Sequence, residues 1–230
     1  MARLKRIDVY LEIGEKRTFA GALDWPGWCR SGRDEESALQ ALFDYGPRYA
    51  RVVRASKLGF QAPADLSTLA VVERLKGNAT TDFGAPGIAP AADSRPVNSE
   101  ELHAFEKLLN ACWRTFDRSV ETASGRSLTT GPRGGGRQLE GIIEHILGSD
   151  AGYVNQVGWK FRQAEKDELD QQLERTRQAI FKALRASAQG EIPTKGPRGG
   201  VRWSARYFVR RIAWHSLDHA WEIEDRLDSD

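Results

Sequence analysis

The spacing of hydrophobic positions changes partway along the chain. Ile7, Val9, Leu11 and Ile13 alternate with Asp8, Tyr10 and Glu12, the period of two that a half-buried strand requires. Gly14-Glu15-Lys16 follows as a turn. Phe19, Gly21, Leu23 and Trp25 then share one face of a returning strand, which Pro26-Gly27 ends. After Gly32, the run Arg33-Asp34-Glu35-Glu36 predicts a helix start, because negative charge complements the helix dipole. Leu39, Leu42 and Phe43 continue at helical spacing until Gly46-Pro47 interrupts or kinks the helix. Residues 69–75 predict a third strand. Residues 1–76 therefore read as a small α+β domain of β-β-α-β order. Residues 77–97 are rich in Ala, Gly and Pro with little periodicity, and read as a linker.

From Asn98 onward the spacing is helical. Asn98 with Glu101 matches a capping box, and Val97 can staple onto Leu102. Leu102, Phe105, Leu109, Cys112, Phe116 and Val120 mark one buried stripe. A second helix is predicted over about 138–159, and a third, opened by Asp167, buries Leu169, Leu173, Ile180 and Leu184. A fourth spans about 201–227, with Phe208, Ile212, His215, His219 and Ile223 on one face. Four amphipathic helices of this length are best satisfied by an all-α four-helix bundle over residues 98–230, whose facing side chains commonly build metal sites.

The chemistry concentrates in that second part. His215 and His219 stand four apart, so on a helix both imidazoles leave one face. His145 lies in the separate apolar-periodic segment of the second helix. Two ligands from one helix and one from a neighbour can cap a single face of a divalent ion and leave the opposite face open. The plainer reading of an HxxxH pair is two buried histidines bonded to their neighbours. Each metal-binding imidazole needs an acceptor for its other nitrogen. Asp218 and Glu222 are candidates for that role, or for general acid–base catalysis; alternatively they pair with arginines. His103 shares its face with Glu106, Lys107 and Asn110 and is expected in solvent.

A short repeat flanks these helices. Gly131-Pro132-Arg133-Gly134-Gly135-Gly136-Arg137 recurs as Gly196-Pro197-Arg198-Gly199-Gly200-Val201-Arg202, each copy just ahead of a histidine-bearing helix. Arg133 and Arg198 are candidate substrate-binding residues for a carboxylate or phosphate; the bland alternative is a pair of helix-breaking turns. Gly141, Gly148, Ser149 and Gly152 give the His145 helix small side chains, either to leave room for a substrate or to admit a neighbouring helix. Tyr207, Trp214 and Trp221 at heptad spacing read as core or dimer interface. Cys29 and Cys112 read as buried small hydrophobes, and no catalytic thiol is indicated.

Composition narrows the partners. A formal net charge of +2 over 230 residues argues against nucleic acid as the main partner. The charged start carries no apolar signal segment, and no apolar run approaches a membrane span. Two well-separated cysteines fit a reducing compartment, so a cytoplasmic protein is expected. A homodimer is the base expectation, with a small-molecule substrate.

The single His145 and the pair His215 and His219, flanked by Trp214, Trp221 and Glu222-Ile223-Glu224-Asp225, resemble the DinB/YfiT-like superfamily of four-helix-bundle metalloenzymes. The resemblance covers roughly residues 98–230. It implies that the three histidines bind zinc or nickel, and that a low-molecular-weight thiol such as bacillithiol or mycothiol is a cosubstrate for transfer or isomerisation. More weakly, Leu23-Asp24-Trp25-Pro26-Gly27-Trp28-Cys29 and Asp34-Glu35-Glu36-Ser37-Ala38-Leu39 resemble a HicB-like antitoxin module, which implies a β-β-β-α-β-type fold. No helix-turn-helix or ribbon follows that module, so repressor function is not expected. Two functional readings result. One is a metal-dependent transferase or hydrolase acting on a small polar or anionic substrate. The other is a non-catalytic binding or stress-response protein, with a HicB-like dimerisation module and a structural metal.

Overall fold

A computed structural model describes residues 6–131, 136–163 and 167–227. The chain divides into two compact units, Met1–Arg95 and Pro96–Asp230.

The first unit is α+β, built on a mixed sheet. Strands β1 (Ile7–Ile13), β2 (Thr18–Ala22), β3 (Cys29–Gly32) and β4 (Leu69–Lys76) lie in the order β3-β2-β1-β4. β2 is antiparallel to both β1 and β3, whereas β4 runs parallel to β1. Helices α1 (Glu35–Asp44) and α2 (Gly46–Val53) occupy the β3-to-β4 crossover. Asp34 caps α1 by accepting from the Ser37 amide at 2.8 Å, and Pro47 sits in the first turn of α2. Gly46-Pro47 thus separates two helices rather than bending one. Strand β3, which the sequence pattern did not mark, is a short piece after the Gly27 turn and lacks the alternation by which a strand is read.

β1 is buried on both faces, which alternation alone did not predict. Tyr10 is as buried as Val9 and Leu11, and it fits because its partner in β2 is Gly21. A Cβ there would stand 2.5 Å from the Tyr10 ring. Glu12 is buried too, and its carboxylate accepts from Thr81 Oγ1 at 2.5 Å and from the Gly87 and Ile88 amides at 2.8 and 3.0 Å. Those donors belong to the stretch expected as a linker. Residues 77–95 instead form α3 (Ala79–Phe83) and an ordered cover that satisfies a buried carboxylate.

The second unit is helical. Its long helices are α4 (Ser99–Ala123), α5 (Leu139–Val157), α6 (Leu169–Ala188) and α7 (Ala205–Arg226). Asn98 and Glu101 form the expected capping box on α4. Gln138 opens α5 by clasping Leu128, its side chain accepting from the amide and donating to the carbonyl. Phe116 of α4, Ile142 and Ile146 of α5, Leu173 of α6 and Ile223 of α7 share one core cluster.

α7 is buried along nearly its whole length, including Arg206, Arg210, Arg211 and Arg226. A helix carrying several arginines tolerates this where each guanidinium finds acceptors. Arg206 donates to Glu101 at 2.5 Å and to the Pro96 carbonyl at 2.8 Å. Tyr207, Trp214 and Trp221 are all core residues. Among the described residues no helix is long and apolar enough to cross a membrane.

Candidate metal centre

His145 leaves α5 and His215 and His219 leave α7, and the three rings meet. Their centroids lie 4.7–5.1 Å apart, and one ligand atom from each falls within 4.8 Å of the other two. His215 Nε2 stands 3.2 Å from His145 Nε2. Two imidazole nitrogens on one tetrahedral zinc are about 3.3 Å apart, given Zn–N bonds of about 2.0–2.1 Å. His215 and His219 are buried, whereas His145 is only half-buried, so the cluster reaches solvent on the α5 side.

The protonation states suit a cation. Burial, followed by the neighbouring His219 and Arg137 charges, holds the His145 imidazole down at about 4. Burial drives His215 well below the ordinary histidine range, with the His219 and His145 charges adding to it. Both rings are therefore neutral near pH 7, the form that ligates a metal.

Glu222 serves His219. Its Oε2 accepts the His219 Nδ1–H at 2.7 Å, which leaves Nε2 of that ring as the ligand atom. Arg226 donates Nη1–H to Glu222 Oε1 at 2.7 Å and Nε–H to the Thr129 carbonyl at 2.8 Å. Burial opposes ionisation of Glu222, but the bonds from His219 and Arg226 prevail and hold its carboxyl below the usual value. Glu222 thus touches a histidine and an arginine at once. Asp218 is half-exposed, one residue ahead of His219.

A second carboxylate, Asp150 of α5, was missed. It is 3 % exposed, and its Oδ1 lies 3.8 Å from His215 Nδ1. Neither atom has a hydrogen-bond partner among the described residues. Burial raises the Asp150 carboxyl to about 8 despite the opposing Arg177 charge. A signal existed in the sequence: Asp150 interrupts the apolar stripe Ile143, Ile146, Val154 and Val157. Tyr153, one turn on, has its ring centroid 5.6 Å from that of His215, and its hydroxyl accepts from Arg211 at 2.9 Å.

The other candidates fare differently. Arg133 lies outside the described residues. Arg198 is exposed in a tight turn closed by a Gly196 amide bond to the Gly200 carbonyl at 2.8 Å. The last arginine of the repeat's first copy, Arg137, has a charge that acts on His145. Gly148 and Gly152 are exposed, and a Cβ at either would meet nothing within 4 Å. Close approach of another helix in this chain is thus not what keeps them small. His103 is exposed. Cys29 and Cys112 are buried thiols, and burial pushes Cys112 up, away from a reactive thiolate.

No protein-family model, curated protein or solved structure matches this chain.

Proposed function

We propose that His145, His215 and His219 hold a divalent cation, zinc or nickel, and that the chain is a metal-dependent enzyme of the DinB/YfiT-like four-helix-bundle type. The observation that carries this reading is the convergence of three imidazoles, with two Nε2 atoms 3.2 Å apart. Three converging imidazoles have few ways to satisfy all their facing nitrogens internally. One Nε2–H can donate to one Nε2, and a third ring then has no equivalent partner, whereas a cation accepts all three lone pairs. Three protein ligands fit an open rather than a closed coordination shell.

A cation held there supplies Lewis-acid polarisation of a small acidic ligand, water or a cosubstrate thiol. The protein's own contributions are distinct. Glu222 fixes the His219 tautomer and is itself held by Arg226, so it acts by orientation. Asp218, half-exposed and one residue ahead of His219, is the candidate carboxylate for moving a proton. Arg137, whose charge is felt at His145, favours an anionic group on the solvent side of the cluster. This supports a small polar or anionic substrate and a reaction by thiol transfer or hydrolysis.

Loading the protein with cobalt(II) and titrating in a small thiol tests the reading. A d–d spectrum that gains a sulfur-to-metal charge-transfer band is expected. Cobalt uptake with no response to thiol sinks thiol transfer and leaves hydrolysis, and absence of uptake sinks the centre.

A further inference from the structure

Asp150 is placed where a helix does not ordinarily keep an aspartate. It lies on the buried stripe of α5, and its Oδ1 is sealed from solvent without a donor. Leaving a buried polar group unsatisfied costs about 1–3 kcal/mol. Across the interface with α7, His215 Nδ1 is sealed and unsatisfied in the same way. These two atoms are an acceptor and a ring nitrogen able to donate, and they face each other at 3.8 Å. That distance is too long for a hydrogen bond. It is about 1 Å beyond a typical N–H···O hydrogen bond.

The His215 ring also spans α5 in a telling way. Its Nε2 faces His145, and its Nδ1 faces Asp150, five residues further along the same helix. Glu222 already does for His219 what an acceptor at Nδ1 would do for His215. We propose that Asp150 is the positioning residue of His215: its carboxyl oxygen holds the ring proton on Nδ1, before a cation enters as well as after, so that Nε2 is presented as the ligand atom. The inference rests on the cation-centre reading above. It assigns to α5 two roles, one ligand and one orienting carboxylate, and it pairs each histidine of α7 with its own acid.

Two measurements on the full chain test this. The first needs no substitution: nitrogen-15 shifts of the His215 ring in metal-free protein. They are expected to report the Nδ1–H tautomer, with an Nδ1 signal that moves in Asp150→Leu. A His215 ring protonated at Nε2 in the wild type overturns the proposal. The second is zinc affinity by chelator competition. Asp150→Leu removes the acceptor at similar volume and is expected to weaken binding by about 10–100-fold. Asp150→Asn, whose amide oxygen still accepts, is expected to recover part of that loss. Affinities within about twofold of wild type for Asp150→Leu refute the positioning role while leaving the three-histidine centre intact. Failure of the wild type itself to take up zinc instead refutes the centre, and this inference with it. If Asp150→Leu does not fold, the wild-type tautomer and the Asp150→Asn affinity decide.

Discussion

Glu222 touches His219 and Arg226 at once, so a change there reaches the centre without removing a ligand. Glu222→Ala is expected to lower zinc affinity by about 10–100-fold, measured against a chelator of known strength; unchanged affinity contradicts the orienting role. Titration adds a second residue-scale expectation for the metal-free protein. His145 titrates at about 4 in the folded chain against 6.5 in the unfolded one, and His215 is shifted the same way. Between those values the unfolded chain binds more protons, so this contribution is complete above about pH 6.5 and is lost as pH falls toward 4. Asp150 works oppositely: with a folded value of about 8 against 3.8, its contribution is present at low pH and is lost as pH rises through 8. Thermal unfolding of chelated protein is therefore expected to show Tm dropping from pH 6.5 to 4.5, and less steeply in His145→Gln. Parallel profiles for the two proteins would falsify the assignment.

At the scale of elements, caps and close approaches decide what a substitution costs. Asn98 accepts from the Glu101 amide at 2.9 Å at the head of α4. Asn98→Ala is expected to cost about 1 kcal/mol in urea unfolding, and a cost near zero would mean that the cap does not hold the helix. Gly136 has φ +140°, and a Cβ on it would stand 2.7 Å from the Arg226 guanidinium carbon. That guanidinium is tied to Glu222 and Thr129 and has little freedom to retreat. Gly136→Ala is expected to cost more than about 1 kcal/mol and to weaken zinc binding through Glu222. What the sequence revealed follows the same logic. The Asn98–Glu101 cap, the stripes of α4 and α6 and the facing of His215 with His219 depend on neighbours within a few residues, and they were legible; the heads of α6 and α7 fall at Glu168 and Ser204 rather than at Asp167 and residue 201. β3 pairs with β2 residues 8 to 14 positions earlier, and the burial of Glu12 and the approach of Asp150 to His215 depend on partners more than 60 residues away. Alternation marked Glu12 as solvent-facing because nothing nearby signals that Thr81, Gly87 and Ile88 will cover it.

For the whole molecule, the division at Arg95 and Pro96 places every residue of the centre in the second unit. A chain beginning at Pro96 is therefore expected to keep the zinc affinity of the full protein, and loss of binding in a folded fragment would implicate the first unit in the centre. The central claim concerns stoichiometry: three histidines from two helices hold one ion. Elemental analysis of freshly purified full-length protein beside His215→Ala tests this most directly. About one zinc or nickel per chain in the wild type, and essentially none in the variant, is the result expected. A wild type without metal, or a variant that carries as much as the wild type, would contradict it.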